Sequence, residues 1–78
     1  MILRRLGPNP DPARCAGGRS CPDLFEMIDG DFAVIGQDIT DRILSALPPD
    51  AGCGPEERIV RVPRRTLVQA RADIPATL

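Results

Sequence analysis

The sequence predicts a small α+β domain of β-β-α-β-α order, in which a three-stranded, at least partly antiparallel sheet carries two short helices. Two short apolar runs on either side of an Asp-Gly pair at residues 29–30 predict a β-hairpin. An alternating, β-branched run at residues 58–62 predicts a third strand. Two segments with apolar residues at helical spacing, 39–47 and 64–74, are each followed by proline and predict the helices.

Length and composition limit the size of the core. The 78 residues are enough for one domain. Hydrophobic residues make up 42% of the chain but aromatic residues only 3%, so the core must be built from aliphatic side chains. Such a core stabilises a domain of this length by only about 3–5 kcal/mol. Domains with so small a margin often gain stability from a partner, which favours an interaction role.

The first 20 residues differ in composition from the rest of the chain. Three prolines fall within residues 7–13, and a Gly-Gly pair follows at 17–18. Proline fixes φ and has no N–H donor, so this segment is neither a helix nor a central strand. We therefore expect residues 1–20 to be a flexible, disordered Pro/Gly-rich arm and residues 21–75 to form the single α+β domain.

The hairpin has the clearest pattern. Its Asp-Gly pair fits a two-residue type I′ turn, in which both central residues need a positive φ. That turn places Met27 opposite Phe32 and Phe25 opposite Val34, so these four residues should form the core face beneath the helices. The other face is mixed, and it is either partly covered or a docking surface; it carries Leu24, Glu26, Ile28, Asp31, Ala33 and Ile35.

The first helix is predicted over residues 39–47. Asp38 can cap its N-terminus, since a carboxylate accepts the free N–H groups of a first turn. Ile39, Ile43 and Leu47 then align at i, i+4 and i+8, and a Pro-Pro pair stops the helix.

The second helix is predicted over residues 64–74. Leu67, Ala70 and Ile74 align at i, i+3 and i+7 and form its apolar stripe. The Thr66-x-x-Gln69 pair fits a capping box, so the helix can start as late as Thr66.

The charges are unevenly distributed, although the net charge of −1 predicts no strong attraction to DNA or to an anionic membrane. Residues 1–20 carry +3, residues 21–57 carry −8 and residues 58–78 carry +4; all ten basic residues are arginine. Either the acidic hairpin and the basic segments neutralise each other within the fold, or a basic strip faces an acidic protein surface or a phosphate backbone. That strip would consist of Arg58, Arg61, Arg64, Arg65 and Arg71.

Three cysteines, at positions 15, 21 and 53, leave three interpretations open. A zinc site needs four ligands, and without histidine Asp23 would have to complete it. A disulfide could join Cys21 to Cys15 or to Cys53. The favoured interpretation is that Cys21 is a small buried hydrophobic residue. Calcium binding is not indicated either, because the aspartates near the turn lack the spacing of a calcium-binding loop. We expect no metal and no cofactor.

Catalysis and membrane insertion have little support in the sequence. It contains no histidine for acid–base chemistry, no nucleophile beside a base in a recognisable motif and no glycine-rich phosphate loop between a strand and a helix. No apolar stretch approaches the roughly 18 residues that span a bilayer, and the first residues lack the apolar segment of a signal peptide. We expect a cytoplasmic protein that is not an enzyme and has no membrane partner.

Four short motifs support a resemblance to a known group of proteins: Cys21-Pro22, Asp29-Gly30-Asp31-Phe32, Val34-x-Gly36 and Val62-Pro63-x-x-x-Leu67. Over residues 21–75 the chain resembles small uncharacterised actinobacterial proteins, which are similar to a domain of unknown function often encoded beside helix-turn-helix regulators. The resemblance implies a regulatory or accessory partner of a transcription factor. It implies no catalytic residues.

Together these patterns predict a small non-catalytic protein-interaction module, regulatory or accessory, that binds a protein partner or forms a homo-oligomer such as a dimer. The alternative is a small nucleic-acid-binding protein that uses the arginine strip, although no aromatic residue lies near it for base stacking. The candidate interaction surface consists of Leu24, Ile28, Ile35, Ile59, Arg61, Arg64, Arg65 and Arg71.

Overall fold

The computed structural model describes residues 1–8 and 22–78. In chain order the strands are β1 (Ile2–Arg5), β2 (Asp23–Met27), β3 (Phe32–Ile35), β4 (Gln37–Asp38) and β5 (Val60–Arg61), and the helices are α1 (Thr40–Ile43) and α2 (Arg64–Ala70). Each helix continues into a 3-10 turn, Leu44–Ala46 after α1 and Arg71–Asp73 after α2.

The first three strands form one antiparallel sheet in the order β1-β2-β3, which confirms the predicted α+β class. The identity of its first strand was not predicted. Ile2–Arg5 lies in the segment expected to be a flexible arm, so that prediction is wrong for these residues. The remainder of the predicted arm, residues 9–20, falls outside the described residues, as does Cys21.

Charged side chains fasten β1 to β2. Arg4 Nε lies 2.9 Å from Glu26 Oε1, and Arg5 Nε lies 3.1 Å from Asp23 Oδ2. The guanidinium of Arg5 also lies 5.3 Å from the centre of the Phe25 ring, within cation–π range. Partly exposed pairs of this kind each contribute at most about 1 kcal/mol, but their directionality favours one strand register. At these residues, basic and acidic segments do neutralise each other within the fold.

The hairpin turns where the sequence predicts, but its loop is longer. The Met27 N–H donates to the Asp31 carbonyl at 2.8 Å, and the Gly30 N–H donates to the Met27 carbonyl at 3.0 Å. Within the loop only Gly30 has a positive φ, of 95°. The Asp29 carboxylate accepts the Asp31 N–H at 3.0 Å. This is a three-residue loop with a G1 bulge, so the predicted two-residue type I′ turn is wrong.

The extra loop residue shifts the strand register by one position. Leu24 is opposite Val34, and Glu26 is opposite Phe32. Because cross-strand partners share a face, Phe32 and Val34 lie on the Leu24 side of the sheet and not on the Phe25 side. We call this side the Leu24 face. The predicted core face, which the register overturns, was formed by Phe25, Met27, Phe32 and Val34.

The core lies where α2 packs on the Leu24 face of β2. Among the described residues, the buried apolar side chains are Leu6, Leu24 and Ala70. The Leu6 N–H donates to the Leu24 carbonyl at 2.8 Å, which extends the β1–β2 ladder. The Gly7 N–H donates to Asp73 Oδ2 at 2.7 Å, so the start of the chain is bonded to the turn that follows α2.

The predicted second helix is confirmed in position, as α2 with its 3-10 turn. It begins at Arg64, before the predicted capping box. Of the predicted apolar stripe only Ala70 is buried, whereas Leu67 is 50% exposed and Ile74 is 39% exposed. The helix is short, and it contacts the sheet through its last turn.

The predicted third strand exists, but it belongs to a second sheet. β5 pairs antiparallel with β4, with Gln37 opposite Arg61 and Asp38 opposite Val60. Gly36 is the single residue between β3 and β4, so one extended segment contributes a strand to each sheet.

A polar network joins α1 to the residue before β5. Asp38 Oδ1 accepts from the Thr40 N–H at 3.0 Å and from its hydroxyl at 2.7 Å. The Thr40 oxygen in turn accepts the Ile59 N–H at 2.8 Å, and Thr40 is buried. Asp38 was predicted to be the N-cap of a helix starting at residue 39. The helix starts at Thr40, its N-cap position is Ile39, and Asp38 bonds the Thr40 N–H from one residue further back.

This network predicts a measurable pH dependence. Two hydrogen bonds from Thr40, the stronger from its hydroxyl and the weaker from its N–H, lower the pKa of Asp38 below its ordinary value of 3.8. Desolvation raises this pKa by less than these bonds lower it, and the charge of Arg58 makes the smallest contribution, which also lowers it. A lowered folded-state pKa stabilises the fold above the unfolded-state pKa, and this contribution is lost as pH falls through the folded value. NMR titration should therefore give an Asp38 pKa below 3.8 in the native protein and one shifted back towards 3.8 in Thr40→Val. Equal pKa values in the two proteins would contradict this account.

Candidate interaction surface

Among the described strands, β3 forms one outer edge of the first sheet. In an antiparallel pair, alternate residues direct their N–H and C=O groups towards the neighbouring strand. The Leu24 carbonyl accepts from Leu6, the residue that follows β1, so Leu24 bonds away from β3. Its partner Val34 must then direct its own N–H and C=O away from β2, and so must Phe32 two residues earlier. We call these four groups, on Phe32 and Val34, the outer edge of β3.

No described strand pairs with the outer edge of β3. The side chains along β3 are also unusually exposed for apolar residues: Phe32 is 43% exposed, Val34 42% and Ile35 51%. Natural sheets usually protect such edges with charge, proline or a covering element. The sequence of β3 is Phe-Ala-Val-Ile, which contains neither a charged residue nor a proline.

The opposite edge of the same sheet is different. β1 forms that edge, and two of its four residues are arginines. Arg4 and Arg5 are held in place by their ion pairs with β2. A strand approaching β1 would have to accommodate these charges, so β3 is the edge better suited to strand addition.

The structure separates the predicted apolar surface residues. Leu24 is 5% exposed and belongs to the core, so its assignment to an interaction surface is wrong. Ile28 lies in the turn and is 67% exposed, and Ile35 lies on the sheet face opposite to Leu24. Ile59 is half-buried beside α1, where its carbonyl accepts the Ile39 N–H. These residues do not form one surface.

The predicted arginines are exposed and lie on three successive elements. Arg61 lies in β5, Arg64 and Arg65 begin α2, and Arg71 begins the 3-10 turn after it. The ion pairs among the described residues use Arg4 and Arg5 instead.

Sequence reasoning missed Phe32 and Val34 as surface residues, because the register error placed them in the core. One signal that favours the observed turn was available. A two-residue type I′ turn requires a positive φ at Asp29, which costs a residue with a Cβ more than it costs glycine. A three-residue loop needs a positive φ only at Gly30, where the sequence provides glycine.

The cysteines and the possible metal ligands of the described residues do not indicate a chemical site. Cys53 has a free thiol, whose sulfur lies 3.2 Å from the Glu57 carbonyl. Cys15 and Cys21 fall outside the described residues, so the predictions for them are untested. Over residues 1–8 and 22–78, no three potential metal-ligating side chains come together. In the same ranges, no helix is both long enough and apolar enough to cross a membrane.

Comparison of the chain with protein-family models, with curated proteins and with solved structures finds no match. The resemblance to actinobacterial proteins encoded beside helix-turn-helix regulators therefore stays a prediction.

Proposed function

We propose that this chain is a small non-catalytic protein-interaction module, regulatory or accessory in role, that binds a protein through the outer edge of β3. The observation that carries the proposal is the uncharged edge at Phe32 and Val34, with which none of the described strands pairs. An extended segment of another chain could pair with its backbone groups and cover its apolar side chains at the same time. This is recognition by β-strand addition.

The thin core supports the same proposal. Only three described apolar residues are buried, while Phe32, Val34 and Ile35 of β3 are each more than two-fifths exposed. Covering them would add apolar burial at about 25 cal/mol per Å², which matters in a domain whose own margin is only about 3–5 kcal/mol. Binding and stability are then linked, since a partner that binds only the folded state stabilises it.

Site-specific photo-crosslinking in the native cell tests the proposal. A benzophenone amino acid replaces Phe32 in one variant and Glu56 in a control variant, since both side chains are exposed. We expect discrete protein adducts from position 32 and none from position 56. Absence of adducts at both positions, or the same adducts from both, would contradict binding through β3.

The alternative function is nucleic-acid binding, and the exposure of Arg61, Arg64, Arg65 and Arg71 is the observation in its favour. Against it, the two phenylalanines of the chain lie on β2 and β3, and the cation–π contact found among the described residues joins Phe25 to Arg5 and not to any of these arginines. Base-stacking residues would be expected close to the basic groups.

Fluorescence anisotropy with DNA and RNA oligonucleotides at low ionic strength distinguishes the two functions. Our proposal predicts no saturable binding. The alternative predicts binding that weakens steeply with added salt, because phosphate contacts release counterions. It also predicts loss of that binding in an Arg64→Gln, Arg65→Gln double variant. Observation of both effects would favour the alternative over our proposal.

A further inference from the structure

We propose that the occupant of the outer edge of β3 is a second copy of this chain, paired antiparallel through β3 about a two-fold axis at Ala33. The inference rests on the proposed function, because it names the partner for the same edge. It joins the first sheets of two copies into one continuous sheet.

The backbone geometry of β3 is self-complementary. The outward groups belong to Phe32 and Val34, two residues apart, with Ala33 between them. Antiparallel pairing of Phe32 with Val34 of the second copy, and of Val34 with Phe32 of the second copy, satisfies all the outward N–H and C=O groups of both copies. A two-fold axis requires such reciprocity, since each residue must meet the partner that meets it.

The residue at the axis fits this pairing. Ala33 would face Ala33 of the second copy at a non-hydrogen-bonded position, where the Cα atoms of an antiparallel pair approach most closely, to about 4.5 Å. Two small side chains can be accommodated there. The pairing also places Phe32 beside Val34 of the second copy on the Leu24 face, and aromatic and β-branched residues pair favourably across strands.

The charges are compatible with a second copy. β3 itself carries no charge, and the net charge of one chain is only −1. Antiparallel pairing brings the acidic turn of one copy, with Asp29 and Asp31, towards the β4 end of the other. Arg61 lies at that end, opposite Gln37, and takes part in none of the ion pairs between described residues.

The test uses the full chain and two variants at one position. Val34→Pro removes the outward N–H of residue 34 together with the valine side chain. Because this N–H points away from β2, it is at a place where edge strands tolerate proline. Val34→Thr keeps that N–H and the branched shape. By light scattering across a concentration series, the native protein should rise towards twice the 8.4 kDa mass of one chain. Val34→Thr should also dimerise, whereas Val34→Pro should dimerise at least about tenfold more weakly.

The register is tested in the native protein, which keeps the inference testable if Val34→Pro does not fold. In a mixture of isotope-labelled and unlabelled chains, filtered NMR spectra should show a contact between the Hα atoms of Ala33 in the two copies. Three results would overturn the inference. The native protein could stay monomeric at all concentrations, it could form a dimer without this Ala33 contact, or a folded Val34→Pro variant could dimerise as strongly as the native protein. If a monomeric protein still gave adducts with another protein from position 32, only the second-copy inference would fail, and the proposed function would stand.

Discussion

Replacement of Gly36 by alanine should destabilise the protein strongly. A Cβ at this position would lie 2.6 Å from the carbonyl oxygen of Arg61 and 2.9 Å from Cγ1 of Val62. The first of these atoms belongs to the backbone of β5, so the clash can be relieved only if the two sheets move apart where β3 continues into β4. Overpacking of this kind costs about 1–3 kcal/mol, a large part of the roughly 3–5 kcal/mol available to so small a domain.

Gly52→Ala is the matched control, because nothing lies within 4 Å of the Cβ it would add. Gly52 does not have a positive φ, so alanine can adopt the same backbone conformation. Because alanine restricts the unfolded chain more than glycine does, Gly52→Ala should be neutral or slightly stabilising. Thermal unfolding followed by circular dichroism compares the two variants. Equal unfolding midpoints for Gly36→Ala and Gly52→Ala would show that the close approach at Gly36 does not exist.

Leu24→Ala should come close to unfolding the domain. The side chain is 5% exposed and is one of only three buried apolar residues among those described. Truncation of a buried leucine costs about 2–5 kcal/mol, because transfer energy is lost and a cavity is left. Urea unfolding should give a much lower midpoint, because this cost is comparable to the roughly 3–5 kcal/mol available to the whole domain.

Leu67→Ala is the control, because it makes the same leucine-to-alanine change in a side chain that is 50% exposed. Its unfolding midpoint should stay near that of the native protein. If Leu24→Ala were as stable as Leu67→Ala, Leu24 would not be a core residue, and its original assignment to a surface would regain support.

Local patterns predicted the local structure well. The hairpin, the strand around Val60 and both helices occupy the predicted parts of the chain, since each depends on nearby residues: an Asp-Gly pair, a β-branched run, and prolines that stop helices. The sheet to which each strand belongs was not predictable in this way. β5 pairs with only two residues of β4, a short contact that leaves little periodic signal in either segment.

The candidate surface was mispredicted through one residue of the turn. An Asp-Gly pair is compatible with loops of two or three residues, and the two loops differ by a single step in register. That step exchanged the environments of Leu24 and Val34: one was expected at the surface and is buried, and the other was expected in the core and is exposed. β1 was missed because its partner lies far away in sequence, and pairing of Arg4 with Glu26 leaves no local pattern.

The composition of the core has a consequence for how the chain folds during synthesis. Leu6 and Ala70 come from opposite ends of the sequence, and the hydrogen bond from Gly7 to Asp73 closes the same long loop. Contacts so distant in sequence form late, because the chain entropy of closing the loop must be overcome before they contribute. The hairpin can form as soon as it leaves the ribosome, but the core cannot assemble until Ala70 has been translated. Folding of this domain is therefore completed only when α2 docks.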